Sequence, residues 1–303
     1  MKLRDLTDLV LLAALWGASF LFMRIAVPAF GPVALVEVRV VIAALFLAAL
    51  LAAHGQLSML RRHAGPLLLL GTIASALPFV LLSYATLHVT AGFAAILNAT
   101  TPMWTALIGW AWLRNPVRPM QWVGLAAGLV GVGVLVGGAD GIGAGASSAT
   151  VLAVAAGLVA TASYGLAGNY TRRALAEVSP RVIAAGSTLG ASIVLLPLAA
   201  LTWPTQPPEP VAWLSAAILG VACTALAYLL YFRLLTRVGA VRASAVTFLI
   251  PLFATFWGAL FLGEGVTLRM LVGGAVILAG TGLALGLWPA ARPSGQPVSR
   301  PAK

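Results

Sequence analysis

Charge is what this chain has least of: 8% of its 303 residues are Asp, Glu, Lys or Arg, against 61% that are hydrophobic. So few charges cannot cover a soluble surface, and a mean hydropathy of +1.03 places the chain in a bilayer. Cysteine occurs once, as Cys223 inside an apolar run, which excludes an intramolecular disulfide and a four-cysteine metal site. The three histidines, His54, His63 and His88, lie at or near connectors without metal-ligand spacing. Neither H-E-x-x-H nor G-x-S-x-G is found, and no histidine sits with acids inside an apolar run, so an integral-membrane enzyme is disfavoured and no catalytic residue, metal or cofactor is expected. The net charge of +11 does not signal nucleic acid, because the basic residues fall in short connectors between apolar runs, where they report orientation.

What is present is a series of apolar runs, each long enough to cross a bilayer. They fall at about 7 to 27, 33 to 53, 66 to 87, 91 to 112, 119 to 138, 149 to 171, 181 to 202, 211 to 232, 240 to 262 and 268 to 288. The first runs on past Phe22, and Asp5 and Asp8 spoil the positive N-terminal region that a signal peptide needs, so it reads as an uncleaved span. The expected fold is an all-α polytopic membrane protein of ten helices. Placing both termini in the cytoplasm puts nearly all the basic residues inside and leaves only Arg24, Arg39 and Arg269 elsewhere. Residues 138–148 read as a periplasmic glycine-rich linker, and 289–303 as a disordered cytoplasmic tail.

The chain repeats itself. At an offset of 149, Pro102 falls on Pro251, Gly109 on Gly258 and Leu113 on Leu262, and four glycines of the fifth run fall on glycines of the tenth. At 148, Gly17 falls on Gly165, Arg24 on Arg172 and Pro32 on Pro180, with Trp16 matching Tyr164. Two five-helix units follow, 1–137 and 149–288. Because five is odd, the second must enter the membrane inverted. Inverted repeats with interrupted helices meeting near the midplane predict an alternating-access carrier.

Proline has no N–H for the carbonyl four residues back, so Pro102 is expected to free the carbonyl of Asn98, and Pro251 that of Thr247, at a depth where lipid cannot satisfy them. Asn98 and Thr247 are accordingly the first candidates for contact with solute, with Pro102 and Pro251 as hinges. Trp16 and Tyr164 are candidates for an aromatic cavity wall or for core packing, and Ser19, Asn169, Tyr228 and Tyr231 are lesser candidates of the same kind. Arg39 lies too deep to report topology, so it either meets a substrate carboxylate or pairs with another helix. Glu37 is the one carboxylate well inside a span. It is either a proton-coupling residue or the partner of Arg24. Glu264 and Arg269 are expected to form an ion pair across the last outer connector, and Gly124 and Gly128 to serve close helix packing.

WGASF at Trp16–Phe20, EVRVVIAAL at Glu37–Leu45, AGFAAILNATTPMWTAL at Ala91–Leu107 and the long stretch from Tyr228 to Glu264 resemble the ten-helix EamA-type members of the drug/metabolite transporter superfamily, over both halves. The resemblance implies an inner-membrane carrier for small metabolites, often amino acids or related compounds and possibly drugs, usually acting in efflux. Two departures stand out. Asn115 occupies the place where the first repeat usually ends its fourth helix on a glutamate, and the first helix lacks the glutamate on which the small four-helix multidrug relatives depend. A channel is the nearer rival to a carrier. The partners expected are a small-molecule solute and the bilayer. Neither the direction of transport nor the oligomeric state is legible.

Overall fold

The computed structural model describes residues 2–137, 147–239, 243 and 245–285, and among them every regular element is helical. The helices are α1 (Leu3–Phe30), α2 (Pro32–Ala53), α3 (Ala64–Ala85), α4 (Ala91–Leu113), α5 (Pro119–Val136), α6 (Ser148–Ala174), α7 (Pro180–Leu201) and α8 (Pro210–Val238). All eight are long and apolar enough to span a membrane. The shorter apolar helices α9 (Val246–Leu262) and α10 (Leu268–Ala284) follow. A five-residue helix, Ser58–Arg62, sits in the α2–α3 connector. Helix starts are chemically marked: Pro32, Pro119, Pro180 and Pro210 occupy first-turn positions, where a missing N–H costs nothing. The 138–146 part of the expected linker and the 289–303 tail lie outside the described residues.

Unlike a soluble bundle, the molecule has an apolar outer surface, and its largely apolar interior also holds polar side chains. Leu129, Ile193, Leu196, Leu252, Leu260 and Phe261 are more than half exposed, while Glu37, Arg39, Thr161, Asn169 and Thr224 are buried. Hydrocarbon outside and polarity inside is the arrangement of a multi-pass membrane protein.

Three features depart from straight helices. Both α3 and α8 contain a π segment, at Thr72–Ala76 and Val221–Leu226, whose starts are 149 residues apart, the offset at which the sequence repeats. Such wide turns leave a residue out of the ladder and concentrate at functional positions. The third feature is in α4, which stops at Asn98 and restarts at Thr101, with Pro102 in the first turn of the new segment. By contrast α9 runs unbroken through Pro251. Pro102 thus directly follows a break, whereas Pro251 lies inside a continuous segment that begins at Val246, after a turn at Ala245.

Glycine sets the closest crossings. A Cβ on Gly71 would lie 2.5 Å from Ser187 O, so α7 crosses α3 backbone to backbone. A Cβ on Gly220 would lie 2.7 Å from Ile42 Cβ and 3.0 Å from Arg39 O, so α2 crosses α8 in the same manner. Each glycine immediately precedes a π segment. At the side of the bundle, Gly124 and Gly131 of α5 meet the backbone of α10 around Gly280 and Ile277, as expected of glycines that serve packing. Near the end where the chain begins, Arg233 and Arg237 of α8 pair with Asp8 of α1 at 2.5 and 3.5 Å.

Candidate functional site

Arg39 is the centre of the polar interior. It is 4% exposed, carried on α2 where that helix presses against Gly220. Its Nε donates to Thr224 Oγ1 in the π segment of α8 (2.8 Å), its Nη1 lies 3.8 Å from Met23 Sδ of α1, and its guanidinium carbon sits 3.8 Å above the Phe79 ring of α3. Thr224 Oγ1 donates in turn to Leu219 O (2.8 Å), a five-residue reach within the π segment. Tyr164 of α6 and Cys223 and Tyr228 of α8 lie near enough to interact electrostatically with the guanidinium. Among the described residues no carboxylate pairs with Arg39.

Tyr164 and Tyr228, two of the residues singled out in the sequence, lie beside this cation. Tyr164 packs edge-on to Phe79 (6.4 Å), Tyr228 faces Ser75 in the π segment of α3, and Trp16 of α1 packs on Tyr231 (5.4 Å). Ser19 is buried one turn along α1 from Trp16. Asn169 stands apart, nearer the C-terminal end of α6. It donates to Thr105 O and Gly165 O and accepts from Arg172, so its amide is fully used. The π segments and Thr224 escaped sequence reasoning; the one signal on offer was the pair of glycines, Gly71 and Gly220, that precede them at the repeat offset.

The carbonyl freed by Pro102 does not wait for solute. Thr101 Oγ1 donates to Asn98 O (2.8 Å), Thr100 Oγ1 to Leu97 O (2.8 Å) and Thr281 Oγ1 of α10 to Ala99 O (3.1 Å), so hydroxyls take all three carbonyls of the α4 break. This corrects the expectation for the main chain at Asn98. What remains spare there is the side chain, whose buried Oδ1 has no hydrogen-bond partner. Thr247 lies one residue into α9 and is half-buried.

Both expected ion pairs are rearranged. Glu37 does not meet Arg24. Its Oε1 accepts from Ser192 of α7 (2.7 Å), and its Oε2 is buried without a partner. Nor does Glu264 pair with Arg269. At the end of the bundle opposite Asp8, its Oε1 lies 2.5 Å from Arg24 Nε and its Oε2 accepts the Ala91 N–H (2.8 Å) at the start of α4. Short connectors bring these groups together: α9 turns on Gly263 (φ +64°), which places Glu264 back over Gly258, a position with no side chain to block it. Arg24 also donates to Thr86 O (2.7 Å) and Val89 O (2.8 Å). This clasp ties α1, the α3–α4 turn and α9 around a cavity of about 340 Å³. Burial pushes the Glu264 carboxyl above the usual carboxylate range, against the opposing pull of Arg24 and the Ala91 and Gly92 amides.

Comparison with known proteins bears on both halves. Residues 8–137 and 151–286 each match the EamA-like transporter family. A protein of Archaeoglobus fulgidus named only as an uncharacterized transporter is 22% identical over 280 residues, covering 90% of this chain and 95% of the relative. A probable terminal-alkyne amino-acid exporter of Streptantibioticus cattleyicolor is 28% identical over 287 residues, 90% of each chain. Protein PecM of Dickeya dadantii is 29% identical over 214 residues, covering 68% of this chain and 69% of its own. One solved crystal structure superposes with a TM-score of 0.69 at 20% identity, covering 95% of this chain and 98% of that one, which is a likeness of fold.

Proposed function

Because the chain belongs to the EamA-like transporter family, we propose that it is a secondary transporter that moves small metabolites outward across the inner membrane, by alternating access between two inverted five-helix halves. The observation that carries this reading is the matched pair of crossings. Gly71 and Gly220, 149 apart, each receive a helix from the other half at Ser187 and Arg39, 148 apart, and each opens into a π segment. Two such crossings related by the repeat are what a carrier needs to rock one half against the other about a shared centre. The solute binds where Arg39, Tyr164 and Tyr228 converge, with Trp16 and Ser19 on the α1 wall and Asn98 and Thr247 on α4 and α9. Asn169 is a lesser member of this set. Pro102 and Pro251 are the hinges, and Glu37, with one bare oxygen in the α2–α7 contact, is the proton-coupling candidate. The Arg24–Glu264 clasp closes one end of the pathway.

The test is transport by the purified protein in proteoliposomes. Saturable uptake of a labelled metabolite, accelerated by unlabelled solute on the opposite side, is expected. Flux that rises linearly with concentration and ignores the opposite side would identify a channel instead. Asn98→Ala is expected to insert normally and to lose transport, and a wild-type rate would remove Asn98 from the site.

A further inference from the structure

We propose that Arg39 is the receptor for a carboxylate on the transported solute, and that the site takes small monocarboxylates. The inference deepens the carrier reading and rests on it. A cation buried to 4% exposure is costly unless an anion or a full set of acceptors compensates it. Here the compensation is a single hydroxyl, a thioether and a phenyl face. Glu37, two residues away and therefore on another side of α2, is turned to Ser192 and does not neutralise it. Stacking on Phe79 occupies the flat face of the guanidinium and leaves in its plane the N–H groups that Thr224 and Met23 do not take. A carboxylate bonds to those groups in parallel.

The number of charges narrows the ligand. Position 187, which matches Arg39 at an offset of 148, is Ser187, whose hydroxyl serves the backbone of its own helix. The crossing that mirrors Arg39 therefore carries no second guanidinium. One buried cation balances one negative charge, so a dianion such as phosphate would leave an excess in a low-dielectric interior. Met23, Phe79, Tyr164 and Tyr228 supply the remaining wall, which suits an uncharged apolar or aromatic remainder.

The test compares isosteres on the full-length protein in detergent, by thermal stabilisation and by competition in counterflow. The probes are 4-methylvalerate with 4-methylvaleramide, 3-phenylpropionate with 3-phenylpropionamide, a panel of other small monocarboxylates, and inorganic phosphate. Acids are expected to stabilise and compete, with the amides weaker by roughly 10- to 100-fold, the worth of a charge-assisted hydrogen bond, and phosphate without effect. Arg39→Gln should erase the preference for acid over amide, and Arg39→Lys should restore part of it. Should Arg39→Gln fail to fold, the wild-type acid-to-amide ratio decides the matter alone. Equal action of acid and amide, or no response to any monocarboxylate, overturns the assignment. Continued exchange of neutral or cationic solutes in that case would leave the carrier standing. Acid binding without any saturable exchange would instead support the Arg39 site and sink the carrier.

Discussion

Gly220→Ala adds one methyl group at the tightest point of the Arg39 scaffold. The new Cβ would lie 2.7 Å from Ile42 Cβ and Cγ2 and 3.0 Å from Arg39 O, where ordinary contact begins near 3.4 Å. Helix α2 must retreat by about 0.7 Å, the difference between those separations. Applied along the Arg39 Nε–Thr224 bond of 2.8 Å, that retreat reaches the length at which a hydrogen bond ceases to count. Overpacking costs about 1–3 kcal/mol, and loss of a charge-assisted bond about 1.5–3 kcal/mol. Against these stands the gain of about 1 kcal/mol for replacing glycine by alanine inside a helix. The expected net destabilisation is about 1.5–5 kcal/mol, read as the melting temperature of the detergent-solubilised protein. Gly133→Ala is the matched control, since its added methyl meets nothing within 4 Å, and it should leave stability unchanged or raise it by about 0.5–1 kcal/mol. Trimming the obstacle in Gly220→Ala/Ile42→Ala should recover part of the loss. Equal melting of the two single variants would refute the claim that this crossing seats Arg39.

Glu264→Ala, which removes both the Arg24 pair and the acceptor at the start of α4, should destabilise by about 1–3 kcal/mol, whereas Glu264→Gln keeps an acceptor for Ala91 and should cost less. Because the Glu264 carboxyl is raised in the folded protein, its protonation favours the fold: this contribution is present below the ordinary carboxyl value and is lost as pH rises through the raised one. A pH series of melts should show that increment in the wild type and not in Glu264→Gln. Cys223, the single cysteine, is 1% exposed beside Arg39, so a monocarboxylate at Arg39 should slow its alkylation by a small maleimide several-fold, with mass spectrometry as the readout. Gly124→Leu should push α10 off α5, since even a Cβ there falls 2.6 Å from Ala284 N, and protease sensitivity of the α10 end would report it.

The spans, and the division into two matched halves, were readable because bilayer crossing leaves a strong signature in composition and because Pro102, Pro251 and the paired glycines survive at fixed offsets. Arg39 was readable for the same reason, a lone charge in an apolar run. Its partners were not, since Thr224, Phe79 and Met23 are ordinary residues in sequence and acquire meaning only where α1, α3 and α8 converge on α2. The π segments leave no compositional mark, because the wide turn is imposed by a crossing neighbour at Gly71 or Gly220 and not by local propensity. Charge pairing failed at short range: Glu264 and Arg269 are five residues apart, but the αL turn at Gly263 folds the carboxylate back toward α1. The freed carbonyl at Asn98 was the opposite error. Pro102 removed a donor there, and the preceding Thr101 replaced it with its hydroxyl.

The α4 break has a mechanical corollary. Backbone amides are bolted to a helix, but hydroxyls swivel, and the Leu97, Asn98 and Ala99 carbonyls are held by three hydroxyls, one of them from α10. Rotation about Cβ lets each threonine follow its carbonyl through a change of bend, so α4 can flex without forfeiting bonds in a medium that offers no water to replace them. Helix α9 is continuous through Pro251, from Val246 to Leu262. The molecule is thus built like a door with a pliant leaf and a stiff post, and the compliance of the leaf is written in Thr100, Thr101 and Thr281.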